Sequence, residues 1–406
     1  MDAPGLSELR AWLTEAALAG ESETALLDGF CRRALKAGLP IAAAAVIIDT
    51  LHPVHEGRAF LWRREAGRTH TQLVEYGPTS EGEAAENWRR SVFFHLLETG
   101  GSLFRVRFHA GETADFVNFG RMRDDGMTDV AAMLTRFAGA GAIGEMDALY
   151  SYWGSDHPRG FDDAQVEAIV DLTPMLELAV KCVSLARIAG TLVETYLGRD
   201  AGRRVLNGLI RRGVAEKISA VLWYSDLREF TRITDQAPPE QIIPLLDDYA
   251  EAVISAIYEN GGDVLKLIGD GALAIFTAAA AEEACRGAIA AHGALQERLA
   301  HLNRRRDGDG SPITHVYVGL HIGEVFYGNI GSDERLDFTV VGPAVNEVAR
   351  IAAMCRSAER NVLLSEAFAD AMAREERGRA VSVGRYALRG IERPQELFTL
   401  DPFWTL

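Results

Sequence analysis

The sequence has little of what marks a disulfide-stapled, zinc-binding or membrane-spanning protein. Its four cysteines are scattered and form neither a CxxC motif nor a Cys/His cluster. This excludes a disulfide framework and a cysteine-based zinc site. The longest apolar run, residues 41–48, is far too short to cross a bilayer, and no basic and then apolar leader pattern is present. We therefore expect a cytoplasmic protein without a membrane partner.

Positive charge is also scarce. The chain carries 42 Lys and Arg against 58 Asp and Glu, for a net charge of −16. Binding to a nucleic-acid backbone depends on clustered Lys and Arg, so we expect no nucleic-acid partner. A single anionic nucleotide stays compatible with this charge, because a local site can be basic or filled by metal.

The length and composition indicate more than one globular unit. A chain of 406 residues exceeds one ordinary domain. Its 48% hydrophobic and 25% charged residues are typical of soluble domains that build a proper core. Two domains with a connector are the starting expectation.

The N-terminal half alternates helical and strand-like patterns. We predict two helices within residues 6–36 with a break near Gly20, strands at 41–48, 57–63 and 71–76, a helix at 87–98, strands at 102–108 and 146–153, and a long helix from 164 to about 197. This order, with Gly160-Phe161-Asp162-Asp163 opening the last helix, resembles a GAF-type sensor domain. The resemblance implies an α/β regulatory domain over residues 1–184, with an unknown small-molecule or protein input.

Aromatic residues in this half could line an apolar ligand pocket, although at strand spacing they more often belong to the core. They are Trp62, Phe94, Phe104, Phe108, Tyr150, Tyr152 and Trp153.

Residues 185–215 are predicted to connect the two domains. Leu185, Ile188, Leu192 and Tyr196 lie near heptad spacing, which favours a parallel coiled coil. A solvated linker helix is the alternative.

The C-terminal half predicts a ferredoxin-like fold. Strand 218–224 leads to a helix at about 239–258, and strands 264–268 and 272–276 flank a hairpin turn at residues 269–271. A helix at 280–301, a basic loop containing Arg304, Arg305 and Arg306, strands 315–322, 325–330 and 338–341, and a helix from about 344 follow. We treat the arginine cluster as a solvated charge run. The order is βαββαβ, and the whole chain is of α+β class.

Two aspartates stand where this fold brings strand ends together. Asp226 closes the first strand and Asp270 lies on the hairpin turn. Carboxylates that meet at such an edge can share hard cations such as Mg²⁺, as in two-metal phosphoryl transfer. Taken alone, each aspartate is more often a turn or cap residue.

Five motifs in order carry a resemblance to the class III adenylyl/guanylyl cyclases. They are SDxxxFT at 225–231, GDxxxKxxGDG at 262–271, GxHxGEV at 319–325, GNIG at 328–331 and VGxxVNxxAR at 341–350. The resemblance implies a catalytic domain over residues 216–406 with two Mg²⁺ or Mn²⁺ ions per active site. In residue roles it implies metal binding by Asp226 and Asp270, phosphate contacts from the backbone at Phe230 and Thr231, ribose orientation by Asn346, stabilisation of α-phosphate charge by Arg350, and terminal-phosphate contacts from Arg389.

The base-reading positions of this family carry Lys266 and Thr339 here. An ammonium only donates hydrogen bonds, which suits adenine N1 and opposes the N1 hydrogen of guanine. The Thr339 hydroxyl can accept from the adenine amino group. ATP is therefore the expected substrate, and the alternative is that Lys266 only forms an ion pair with a carboxylate such as Asp263.

The closeness of Lys266 and Asp270 on one hairpin predicts a homodimer. One chain cannot easily aim Lys266 at the base and Asp270 at the metals of one ATP, whose ends lie about 10 Å or more apart. In the family, one subunit supplies the aspartates and the other supplies the remaining residues, so a homodimer has two equivalent shared sites.

Some positions depart from the family pattern and leave rival functions open. Glu229 stands where Gly is frequent, and Pro343-Ala344 where Asp or Asn precedes Thr. The rivals are a guanylate cyclase and a catalytically idle signalling scaffold. Residues 261–265 superficially resemble the GGDEF signature of diguanylate cyclases, but that signature occupies a hairpin turn, and here the turn is at 269–271.

Overall fold

The computed structural model describes residues 3–65, 68–137, 146–389 and 394–401. They divide into two units, Met1–Leu192 and Val193–Leu406. No helix among the described residues is long and apolar enough to cross a membrane.

The first unit is a six-stranded antiparallel sheet with helices on both faces. Its strand order is β3-β2-β1-β6-β5-β4. The elements are α1 (Ala3–Leu18), α2 (Glu23–Lys36), β1 (Ala43–Asp49), β2 (Gly57–Glu65), β3 (Arg68–Tyr76), α3 (Gly82–Arg89), α4 (Val92–Thr99), β4 (Leu103–Val106), α5 (Phe119–Asp124), β5 (Asp129–Arg136), β6 (Ala148–Ser155) and α6 (Asp163–Leu197).

Two apolar clusters fill the two sides of this sheet. Helices α1, α2 and α6 pack on one face, where Phe30 and Leu172 meet Trp62. Helix α4 and the start of α5 pack on the other face, where Phe93 meets Tyr150. Strand β5 is buried along most of its length, and this accounts for its missing alternation in sequence.

Most predicted elements of this unit are present, with two differences. The helix predicted at 87–98 is two helices, because the Ser91 side chain caps α4 by accepting a hydrogen bond from Phe94 N at 3.1 Å. Helix α5 and strand β5 were not predicted. The continuous apolar run at residues 130–134 is the sequence signal from which β5 could have been predicted.

The second unit is built on a mixed sheet of order β13-β14-β12-β10-β7-β9-β8, with β11 paired to β10. It contains the end of α6 and then α7 (Arg199–Leu206), β7 (Ala215–Leu227), α8 (Phe230–Gln236), α9 (Ile242–Glu259), β8 (Gly262–Ile268), β9 (Gly271–Phe276), α10 (Ala281–Gly308), β10 (Val316–Gly331), β11 (Leu336–Val341), α11 (Pro343–Met354), β12 (Val362–Ser365), α12 (Glu366–Ala371), α13 (Arg374–Arg377), β13 (Ala380–Tyr386) and β14 (Gln395–Leu400).

The centre of this sheet confirms the βαββαβ prediction. Strands β10-β7-β9-β8 are neighbours and pair antiparallel throughout. Helices α9 and α10 cover one face, where Tyr249 and Leu295 pack against Trp223. Helices α7 and α11 cover the other face, where Ala201 and Val348 pack against Leu222. Adjacent residues of β7 therefore face opposite helical layers, as strand alternation requires.

The connector does not continue as one helix through Ile210. Helix α6 ends at Leu197, and Gly198 takes a φ of +87° before α7 begins. A side chain at Gly198 would lie 2.4 Å from the Val264 carbonyl oxygen, so only glycine fits this approach. Helix α7 then packs on the sheet of the second unit, where Asp200 accepts a hydrogen bond from the Tyr327 hydroxyl at 2.9 Å.

The prediction of a basic loop at residues 304–306 is wrong, whereas the expected solvation holds for Arg304 and Arg305, which are exposed. All three residues belong to α10, which extends to Gly308. Arg306 is 6% exposed; its guanidinium is ion-paired with Asp248 and donates to the Pro312 carbonyl at 2.8 Å. A half-buried acidic partner from α9 thus holds this buried arginine at the edge of the core.

Two further boundaries differ from the sequence prediction. The strands predicted at 315–322 and 325–330 are one continuous strand, β10, because β7 pairs with it along 13 residues. The helix predicted from Pro239 starts at Ile242 and is preceded by a separate short helix, α8.

Candidate active site

The end of β7 and the β8–β9 turn bring Asp226 and Asp270 together. The turn fits against β7 because Gly271 has no side chain: a Cβ there would lie 2.2 Å from the Ser225 carbonyl oxygen. Both aspartates line a cavity of about 580 Å³. The two carboxylates predicted from separate motifs thus lie at one site.

The electrostatics of this pair fit a divalent cation. Burial, followed by the hydrogen bond and charge of Asp270, raises the pKa of Asp226 to about 6. Two adjacent carboxylates resist ionising together unless a positive charge joins them. Mg²⁺ is usually held by one or two carboxylates together with substrate phosphates, and the described residues contain no larger cluster of His, Cys, Asp or Glu suited to a metal. Asp226 and Asp270 are therefore the residues that would hold it.

The start of α8 forms another wall of the same cavity. Phe230 and Thr231 both line it. Glu229, which precedes the helix, has a φ of +56°. This left-handed conformation favours glycine over residues that carry a Cβ.

Two arginines at this cavity were not singled out from the sequence. Arg232 and Arg356 line it, and Arg232 lies 2.6 Å from a carboxylate oxygen of Glu229. Arg356 lies 4.0 Å from the other oxygen of Glu229. Arg356 follows α11 and lies far from the aspartates in sequence, so no spacing rule could have joined them.

Lys266 lies on the α7/α11 face of the sheet because of a β-bulge. The pairing of β8 with β9 shifts between Val264 and Lys266, so that Lys266 lies opposite Leu273. Leu273 belongs to the apolar cluster under α7 and α11, so its neighbour Lys266 lies on that face. Without the bulge, strict alternation from Val264 would have placed Lys266 on the α9/α10 face. By alternation along β7 from Leu222, Asp226 belongs to the same face as Lys266.

The Lys266 ammonium is paired with a carboxylate of β11. Its Nζ lies 2.6 Å from Asp337 Oδ2, and the lysine side chain is 32% exposed. The alternative role considered for Lys266 was an ion pair with a carboxylate such as Asp263. In the structure Lys266 does form an ion pair, and its partner is Asp337.

Thr339 lies two residues after Asp337 and shares its side of β11. The threonine is 6% exposed, and its Oγ1 has no hydrogen-bond partner among the described residues. A buried hydroxyl without a partner costs about 1–3 kcal/mol, so a ligand that bonds to it would recover part of this energy.

The remaining predicted residues lie apart from the aspartate cavity. Asn346 is exposed and Arg350 is half-buried on α11, four residues apart. Arg389 is exposed in a turn next to residues 390–393, which lie outside the described part of the chain. The described residues that line the cavity include neither these three nor Lys266 or Thr339.

Comparison with known proteins finds similarity in the second unit. Residues 214–402 match the family model described as the adenylate and guanylate cyclase catalytic domain. An uncharacterized protein of Mycobacterium tuberculosis is 32% identical over 211 residues, covering 50% of this chain and 37% of the relative. An adenylate cyclase of Anabaena cylindrica is 31% identical over 157 residues, covering 39% of this chain and 31% of that protein.

The adenylyl cyclase CyaB from P. aeruginosa aligns at 22% identity with a TM-score of 0.42, covering 46% of this chain and 95% of that chain. The chain matches about a third of the length of the curated relatives named above.

Proposed function

We propose that residues 214–402, which match the adenylate and guanylate cyclase catalytic domain, form a nucleotide cyclase domain that converts ATP to 3′,5′-cyclic AMP and pyrophosphate. The observation that carries the reaction type is the contact between Asp226 and Asp270, which both line one cavity. Two divalent cations, Mg²⁺ or Mn²⁺, would there acidify the ribose 3′-hydroxyl and neutralise phosphate charge.

Other side chains of the domain position the substrate. Asn346 orients the ribose, and Arg350 stabilises the charge that grows on the α-phosphate as the 3′-oxygen attacks. The backbone at Phe230 and Thr231 contacts the phosphates, and Arg389 contacts the terminal phosphates.

Lys266 and Thr339 support adenine as the base. Lys266 donates to adenine N1 while Asp337 holds its ammonium, and the unpartnered Thr339 hydroxyl accepts from the adenine amino group. Guanine would present a hydrogen to the ammonium, which leaves buried polar groups unpaired.

We further propose that the enzyme is a homodimer with shared active sites. The cavity of a single chain gathers Asp226, Asp270, Phe230 and Thr231 but not Lys266 among its described lining residues. A second copy would bring its own base-reading and transition-state residues to these aspartates.

The first unit is proposed to be a GAF-like sensor domain, over residues 1–184, that regulates a cytoplasmic cyclase through the connector at 185–215. The six-stranded sheet of this unit, with helices on both faces, supports the proposal of a GAF-like domain. Comparing the cyclase activity of residues 1–406 with that of residues 200–406 measures whether this unit activates or inhibits.

A direct assay tests the activity. Purified protein is incubated with ATP or GTP and with Mg²⁺ or Mn²⁺, and the cyclic nucleotide and pyrophosphate are quantified, with Asp226→Asn as the blank. We expect cyclic AMP from ATP at a kcat/KM at least about tenfold above that for GTP. A preference for GTP would make the protein a guanylate cyclase, and no product at several protein concentrations would favour the idle scaffold.

A further inference from the structure

The first unit contains a large cavity that the cyclase reaction does not use. It has a volume of about 1120 Å³ and lies between the sheet and helices α3, α4 and α5. Small-molecule sites typically measure roughly 300–1,000 Å³. The space is therefore sufficient for a ligand of drug size.

Aromatic rings form one wall of this cavity. Tyr150 is 4% exposed, and its ring centroid lies 5.5 Å from that of Trp88 and 5.2 Å from that of Phe93, at interplanar angles of 78° and 49°. Phe94 and Tyr152 also line the cavity. Of the aromatic residues noted in the sequence, Trp62 and Trp153 instead belong to the core against α1, α2 and α6.

The charges of the lining are mostly negative. Asp49, Glu56 and Asp147 face the cavity, and Arg89 is the one cationic residue among its described lining residues. Two of the carboxylates are held in place by neighbours. Asp49 accepts a hydrogen bond from the Tyr76 hydroxyl at 3.1 Å, and Glu56 accepts from Thr79 N at 2.5 Å.

The negative potential reaches the aromatic wall. Burial, and after it the charges of Asp49, Asp147 and Glu56, raise the pKa of Tyr150 above its ordinary value. Rings with electron-rich faces and nearby carboxylates both attract a positive charge.

We propose that this cavity binds an organic cation, an ammonium group carried on an apolar body. An anionic ligand such as a nucleotide would meet three carboxylates and a single guanidinium. A neutral apolar ligand would fill the volume but would desolvate the carboxylates without compensation. A cation satisfies the rings and the carboxylates together. The proposal goes beyond the cyclase activity and does not depend on it.

Three compounds that share one body test the proposal on the full chain by isothermal titration calorimetry. They are 4-phenylbutylamine, which is cationic at pH 7, the neutral 4-phenylbutan-1-ol, and the anionic 4-phenylbutyrate. We expect the amine to bind at least about tenfold more tightly than the alcohol and the carboxylate to bind weakest. Equal affinities for amine and alcohol, tightest binding of the carboxylate, or no heat from any compound at millimolar concentration would each overturn the proposal.

Charge-neutralising variants locate the site. Asp147 is exposed at the rim of the cavity, so Asp147→Asn should leave the melting temperature unchanged while weakening amine binding about three- to tenfold and leaving alcohol binding unchanged. The matched control is Glu98→Gln, which removes an exposed carboxylate of α4 that does not line the cavity. Equal losses in both variants would show that the amine responds only to the net charge of the protein.

Discussion

The Lys266 ammonium lies 2.6 Å from the Asp337 carboxylate, across 71 positions of sequence. The pair joins β8 to β11 at a residue two positions before Thr339. Asp337 was not among the residues predicted from the sequence. In the proposed function it is a positioning residue for Lys266.

Replacing Asp337 by Ala is expected to weaken ATP binding more than catalysis. Without the carboxylate the lysine side chain gains rotamer freedom, so we expect the KM for ATP to rise about three- to tenfold and kcat to change by less than about threefold. Steady-state kinetics with ATP and GTP check this. The control is Asp333→Ala, which removes an exposed ion pair with Arg212 near the start of β11. A lower KM in Asp337→Ala would instead mean that the ion pair competes with the substrate.

Mixing two inactive variants is expected to restore activity if the sites are shared. Asp226→Ala and Arg350→Ala should each lower kcat by at least about a hundredfold. In an equimolar mixture of freely exchanging dimers, half are heterodimers with one intact site of two, so about a quarter of the wild-type activity should return.

The matched control for this experiment mixes Asp226→Ala with Asp270→Ala. Both changes affect the same half of every site, so this mixture should stay inactive. Recovery in the control, or none in the first mixture, would contradict a site divided between two chains.

Replacing Glu229 by Gly is expected to stabilise the protein. Glu229 holds a φ of +56°, which strains any residue with a Cβ, and the arginines that it contacts are largely exposed and contribute little. We expect the free energy of unfolding of the second unit to rise by about 1 kcal/mol, measured by urea denaturation. Glu240→Gly, at an exposed position without positive φ, should destabilise slightly. A loss of stability in Glu229→Gly comparable to this control would show that the ion pairs outweigh the strain.

The stability of the first unit is expected to fall as pH rises from about 4.5 to about 7. Burial raises the pKa of Glu177 from 4.5 to about 7, and the side chain, 1% exposed, accepts a hydrogen bond from Ser151 Oγ at 3.0 Å. The folded state thus holds the proton more tightly than the unfolded state. The stabilisation is complete below pH 4.5 and is lost through pH 7, by up to about 3 kcal/mol.

A Glu177→Gln variant separates this effect from other titrations. It keeps the shape of the side chain but cannot ionise, so its melting temperature should exceed that of the wild type at pH 8 and match it near pH 4.5. If the melting temperatures of the two proteins changed with pH in the same way across this range, Glu177 would not be the source of the pH dependence.

The sequence by itself determined the central βαββαβ arrangement of the second unit and the two aspartates of its candidate site. Period-two and helical apolar patterns and a Gly-Asp-Gly turn are local signals, and each can be recognised within about twenty residues. The pairing of Asp226 with Asp270 followed from them, because the βαββ order places a strand end beside a hairpin turn. Strand β5 was missed because it is buried along most of its length, so its sequence lacks the alternation of apolar and polar residues that predicts a strand.

The tertiary structure alone decided the features that depend on contacts between distant segments. The bulge at Leu265 selects the face of Lys266, and Asp337 then fixes the ammonium; Asp248 of α9 turns Arg306 from a loop cation into a buried one. The last two outcomes depend on side-chain pairs that are 71 and 58 positions apart. Local propensity carries no information about such partners, since their free energy appears only when the sheet and its helices pack.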